Sequence, residues 1–77
     1  MINYIFYRGK YIIYETNIKG KEYDGESDDL LFEGEYLNGK RNGKGKEYNN
    51  VGELIFEGEY LNGKRNGKGE EYNNNGK

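Results

Sequence analysis

Apolar and polar residues alternate along two stretches of the chain, Leu30–Leu37 (LLFEGEYL) and Leu54–Leu61 (LIFEGEYL). A period of two is the strand signature. It sets Leu30, Phe32, Gly34 and Tyr36 on one face and Leu31, Glu33, Glu35 and Leu37 on the other. Asn38-Gly39 and Asn62-Gly63 follow at once. Both residues of such a pair tolerate positive φ, which makes this the strongest short hairpin signal. The runs Lys44–Tyr48 and Lys68–Tyr72 read as return strands, and Asn49-Asn50-Val51-Gly52 turns the chain into the next hairpin. A four-residue loop over 38–41 predicts Glu33 opposite Lys46, Gly34 opposite Gly45 and Glu35 opposite Lys44. In the second hairpin the same register sets Glu57 against Glu70, a like-charge pair.

The two hairpins are copies. Residues 30–52 and 54–76 match at 20 of 23 positions with a period of 24. A worn copy precedes them at an offset of 25. Ile5–Tyr11 aligns with Leu30–Tyr36, and Lys19–Asp24 aligns with Lys44–Asn49. Terminal repeats commonly diverge because they cap a stack. In this copy Lys10 would face Lys19, so its hairpin is expected to be built differently. The chain therefore divides into residues 1–29, a degenerate capping repeat ending in the acidic turn DGESDD; residues 30–53, a full repeat; and residues 54–77, a second full repeat that stops where a next strand is expected. The predicted fold class is all-β, built of tandem β-hairpins.

Composition narrows the chemistry. Among 77 residues there is no Cys, His, Pro or Trp, and nine of the twelve aromatics are Tyr. Without Cys no disulfide or thiolate metal site forms, which fits a reducing, cytoplasmic setting. The net charge of −2 gives no global basic field, so nucleic acid is not the expected partner. Met1–Tyr14 is interrupted by Arg8 and Lys10 and is too short for a membrane span. With one Ser (Ser27), one Thr (Thr16) and no His or Cys, no nucleophile–base pair can be drawn. Glu33 with Glu35 and Glu57 with Glu59 share a solvated face beside lysines, the opposite of the shielding a catalytic acid requires. Gly34–Lys40 has the spacing of a phosphate-cradling loop. However, Arg41 stands where a metal-ligating hydroxyl belongs, and no helix follows. DGESDD lacks the spacing of a calcium loop. No enzyme, cofactor or metal is expected.

The string FEGEYLNGKRNGKG at Phe32–Gly45 and again at Phe56–Gly69 resembles the MORN (membrane occupation and recognition nexus) repeat. The pattern of that family maps onto Phe32, Gly34, Tyr36, Asn38, Gly39, Lys40, Gly43 and Gly45, and onto Phe56, Gly58, Tyr60, Asn62, Gly63, Lys64, Gly67 and Gly69. Phe32 and Tyr36 stand where the family more often has Tyr and Trp. The 24-residue spacing looks like the bacterial-type variant. The resemblance implies tandem hairpins side by side in an elongated, twisted, open antiparallel sheet, roles in scaffolding, partner binding or oligomerisation, and affinity for acidic phospholipids.

Two groups of residues are candidates for contact. Lys40, Arg41, Lys44, Lys64, Arg65 and Lys68 would stack on one edge, where they read either as solvated turns or as a lipid- or partner-binding row. Each full repeat balances four basic against four acidic residues, which favours the solvated reading. Phe32, Tyr36, Tyr48, Phe56, Tyr60 and Tyr72 read as an aromatic groove or as the core of a thin sheet. The expected function is a non-catalytic module for protein–protein interaction, scaffolding or self-association, the last through an unsealed edge after Tyr72. The alternative is peripheral binding to acidic membranes through the basic turns.

Overall fold

A computed structural model describes residues 4–7 and 9–72 of the chain. The stretch after Tyr72, where the unsealed edge was expected, and Arg8 of the worn repeat lie outside the described residues. Among the described residues seven strands form one antiparallel sheet in sequence order: β1 (Tyr4–Tyr7), β2 (Lys10–Tyr14), β3 (Lys19–Asp24), β4 (Leu30–Leu37), β5 (Lys40–Tyr48), β6 (Leu54–Leu61) and β7 (Lys64–Glu71). The sheet is open and elongated, 43 × 29 × 19 Å.

The turn chemistry sets the register. Asn38 and Gly39 take φ of +53° and +79°, and Asn62 and Gly63 take +52° and +86°. Paired positive φ values are those of a two-residue hairpin turn whose twist matches the strands. The loop is therefore two residues long and not four, and it closes on Leu37 opposite Lys40. Gly34 still faces Gly45 and Glu33 still faces Lys46. The two additional β5 residues are absorbed in a bulge between Gly34 and Tyr36, with Gly43 at φ +106°. Glu35 consequently meets no lysine side chain across the hairpin. Its Oε1 instead accepts the Lys44 backbone N–H at 2.9 Å and tethers the bulge.

The worn repeat departs from its alignment in its first half. The chain turns at Gly9 (φ +77°), so Tyr7 pairs with Lys10 and the segment 5–11 is not one strand. Lys10 faces Asp24 across β2–β3. Ile12, opposite Glu22, takes the place that Phe32 holds opposite Glu47. The second half aligns as expected, Gly20 facing Gly34 as Gly45 faces Gly58.

One face of the sheet carries the core: Ile12, Phe32, Tyr36, Phe56 and Tyr60 are buried, Phe32 completely. The rings meet edge to face, Phe32 against Tyr36 at 5.5 Å and against Tyr60 at 4.9 Å, and Phe56 against Tyr60 at 5.7 Å. They lie over bare glycine backbone, and a Cβ on Gly45 or Gly69 would overlap the Phe32 or Phe56 ring. Side-chain caps organise the connectors between hairpins. Asp24 Oδ1 accepts the N–H groups of Glu26 and Ser27, and Asn49 Oδ1 accepts those of Val51 and Glu53. Those Asp24 hydrogen bonds hold its carboxyl below the usual range.

Candidate functional site

Glycines face one another on five consecutive strands: Gly20, Gly34, Gly45, Gly58 and Gly69. Rings cover this ladder on the core face. On the opposite face it floors a groove of about 770 Å³. The residues before and after each glycine supply the walls. Along one wall stand Glu33, Lys46, Glu57 and Glu70, and along the other Lys19, Glu35, Lys44, Glu59 and Lys68. Cross-strand pairing alternates the charges, with Lys19 opposite Glu35, Lys44 opposite Glu59 and Lys46 opposite Glu57. The like-charge pair Glu57–Glu70 is present as the sequence indicated.

Tyrosines brace the walls. Tyr48 Oη donates to Glu33 at 2.6 Å, and Tyr72 Oη donates to Glu70 at 3.0 Å. Burial and the adjacent Glu33 carboxylate push the Tyr48 phenol up to about 12. The six candidate aromatics therefore separate. Phe32, Tyr36, Phe56 and Tyr60 form the core, whereas Tyr48 and Tyr72 support the groove.

The core face carries a polar ladder of its own. Arg41 Nε and Nη2 donate to Glu22 at 3.2 and 3.0 Å, with the guanidinium 4.3 Å above the Phe32 ring. One repeat on, Arg65 Nε donates to Glu47 at 3.0 Å, Nη1 donates to Glu71 at 2.8 Å, and the guanidinium lies 4.1 Å above Phe56. Tyr36 Oη donates to Glu22 and Tyr60 Oη to Glu47. Burial, reinforced by these carboxylates, raises both phenols far above their ordinary value. Burial alone would raise the Glu47 carboxyl, but hydrogen bonds from Arg65 and Tyr60 outweigh it and hold Glu47 low.

The six candidate cations are thus not brought together as one row. Arg41 and Arg65 are strand residues committed to the core face. Lys44 and Lys68 are exposed on the groove wall, and Lys40 and Lys64 are exposed at the hairpin tips beside Leu37 and Leu61. The tips also present apolar surface: Ile18, Leu37 and Leu61 are 50%, 58% and 51% exposed. Sequence reasoning missed two features. The glutamates Glu22, Glu47 and Glu71 recur at one repeat position, two residues beyond a ladder glycine, and that recurrence was their signal. The apolar tip row had its signal in the repeated Leu-Asn-Gly-Lys.

The family model of the MORN repeat matches residues 32–52 and 56–77, more than half of the chain. No curated protein and no solved structure matches it.

Proposed function

The chain belongs to the MORN repeat family, and from that premise we propose that it is a non-catalytic interaction module whose glycine-floored groove holds an extended segment of a partner protein. The observation that supports this reading is the spacing of lysines along one wall. Glu35 is turned onto the backbone of its own hairpin, and Lys19, Lys44 and Lys68 are the cations this wall offers on every second strand, with Glu59 between the last two. At about 4.8 Å per strand they recur every ~9.6 Å. A polyproline-II segment turns fully in three residues and advances about 9.3 Å in doing so. Acidic residues at every third position of such a segment fall into register with the lysines, and small residues between them face the glycine floor. The walls stand two strand residues apart, about 6.6 Å. That is too narrow for a helix about 10–12 Å across.

Fluorescence anisotropy tests this with a labelled peptide carrying Glu at every third position among Gly and Pro, compared with a scrambled peptide of the same composition. The ordered peptide binds more tightly, and Lys44→Glu weakens it about tenfold, the scale of one charge-assisted contact. Equal binding of the scrambled peptide, or insensitivity to Lys44→Glu, would overturn the reading.

A second reading is supported by the hairpin tips. Apolar Ile18, Leu37 and Leu61 beside Lys40 and Lys64 combine the two elements of interfacial membrane contact. Co-sedimentation with acidic but not neutral vesicles, lost in Leu37→Glu/Leu61→Glu, is its expected result. Retention by the double variant counts against it.

A further inference from the structure

Over residues 30–52 and 54–76 the two repeats differ at three positions: Leu31 against Ile55, Lys46 against Glu70, and Val51 against Asn75. The one change of charge among these three flanks the glycine ladder. In β5, Gly45 stands between Lys44 and Lys46, and β6 meets that triplet with Glu59, Gly58 and Glu57. A Lys-Gly-Lys strand is thus matched by Glu-Gly-Glu. In β7 the triplet reads Lys68-Gly69-Glu70. Against β6 it brings Glu70 opposite Glu57. Against another Glu-Gly-Glu strand on its outer side it would repeat that mismatch. Rotated about a two-fold axis through Gly69, however, Lys-Gly-Glu is complementary to itself.

We propose that the outer edge of β7 pairs with β7 of a second copy, antiparallel, with Gly69 opposite the second copy's Gly69. In that register Lys68 of each copy faces Glu70 of the other, so two opposite-charge pairs form at once. Directly opposed residues of an antiparallel pair are related by a local two-fold axis, and an interface of this kind closes as a dimer. Every residue of Lys64–Glu71 is exposed, and β7 has β6 as its one strand neighbour among the described residues. An unpaired strand edge is a template for pairing. The proposal also accounts for the like-charge pair within the chain: Glu70 is mismatched against Glu57 and matched across the dimer. The consequence is a glycine ladder and a groove that run from one copy into the other. The inference does not depend on what the groove binds.

The test is size-exclusion chromatography with light scattering over about a hundredfold range of concentration. Four samples are compared: the unaltered chain, Glu70→Lys, Lys68→Glu, and an equimolar mixture of the two variants. Glu70→Lys gives β7 the triplet of β5 and relieves the Glu57 pairing at the loss of the Tyr72 hydrogen bond, and far-ultraviolet circular dichroism checks that the fold is kept. The unaltered chain is expected to dimerise. Each single variant weakens the dimer about tenfold or more, because two cross-strand pairs are inverted together. Lys-Gly-Lys against Glu-Gly-Glu is complementary again, so the mixture forms a heterodimer. The double variant Lys68→Glu/Glu70→Lys, also self-complementary, recovers the homodimer. A monomer at every concentration overturns the proposal. So do single variants that dimerise like the unaltered chain, and a mixture that fails to recover association.

Discussion

Replacing Arg41 and Arg65 in turn by Met separates the effect of place in the sheet from that of place in the repeat. The two arginines occupy the same position in repeats identical at 20 of 23 sites, so a sequence argument assigns them the same cost. Their surroundings differ. The Arg41 side chain is 17% exposed and holds the nearly buried Glu22 by two hydrogen bonds. It also lies 3.9 Å from Glu47 and between the Phe32 and Tyr60 rings. The Arg65 side chain is 39% exposed, and one of its two partners, Glu71, is 76% exposed. Met keeps an apolar stem over the ring and removes the charge. Leaving a buried carboxylate without its partner costs about 3–5 kcal/mol. Glu22 retains Lys10 at 3.8 Å and the Tyr36 hydroxyl, so about 2–3 kcal/mol is expected for Arg41→Met. Exposed pairs contribute about 0.2–1 kcal/mol each, so Arg65→Met should cost about 1 kcal/mol. Total stability for a domain of this length is on the order of 4–12 kcal/mol. With a urea slope of about 1 kcal/mol per molar, the two midpoints should differ by about 1–2 M at equal, dilute protein concentration. Coincident midpoints, or a larger loss for Arg65→Met, would refute the claim that a residue's cost is set by the strands on both sides of it.

The glycines should divide in the same way. Gly45→Ala drives a methyl into the Phe32 ring and should cost about 3 kcal/mol or abolish folding. Gly39→Ala meets open space and carries only the positive-φ penalty of about 1–2 kcal/mol, so thermal melts should order the two. Glu47 is held low in the folded state, so its contribution is present above the ordinary glutamate value of about 4.3 and is lost as pH falls through and below it. Acid titration followed by circular dichroism should show that slope, and Glu47→Gln should flatten it. At the alkaline end Tyr48 is raised to about 12. Its contribution is therefore complete below the ordinary tyrosine value of about 10 and disappears as pH rises towards 12, with a late tyrosinate absorbance step that Tyr48→Phe reduces.

Much of the fold was legible because the repeat states each local rule twice. The alternation of Leu30–Leu37, the Asn-Gly turns, the Gly34–Gly45 and Glu33–Lys46 pairings, and the clash of Glu57 with Glu70 all follow from residues read in order. The bulge did not. Its requirement is at Gly43 and Gly67, whose positive φ is a demand of the backbone with no hydropathy signal. Missing it lengthened the loop, and the longer loop turned Arg41 and Arg65 from strand residues over aromatic rings into free cations at a turn. In the worn repeat, alignment by identity failed at Gly9, where the chain folds back; the core position falls on Ile12, which shares no motif with Phe32. The groove was not legible as a groove. It exists because glycines from five strands meet in one row, and no single repeat contains more than one hairpin's share of that row.

Binding on the glycine-floored face has a signature at the residues that floor it. Amide chemical-shift mapping by nuclear magnetic resonance, with the peptide bearing Glu at every third position, tests it most directly. The perturbed amides should be those of Gly34, Gly45 and Gly58 with Lys44 and Lys46, while the tips at Leu37, Lys40, Leu61 and Lys64 stay unchanged. Perturbation confined to those tips, with the glycine row silent, would contradict it.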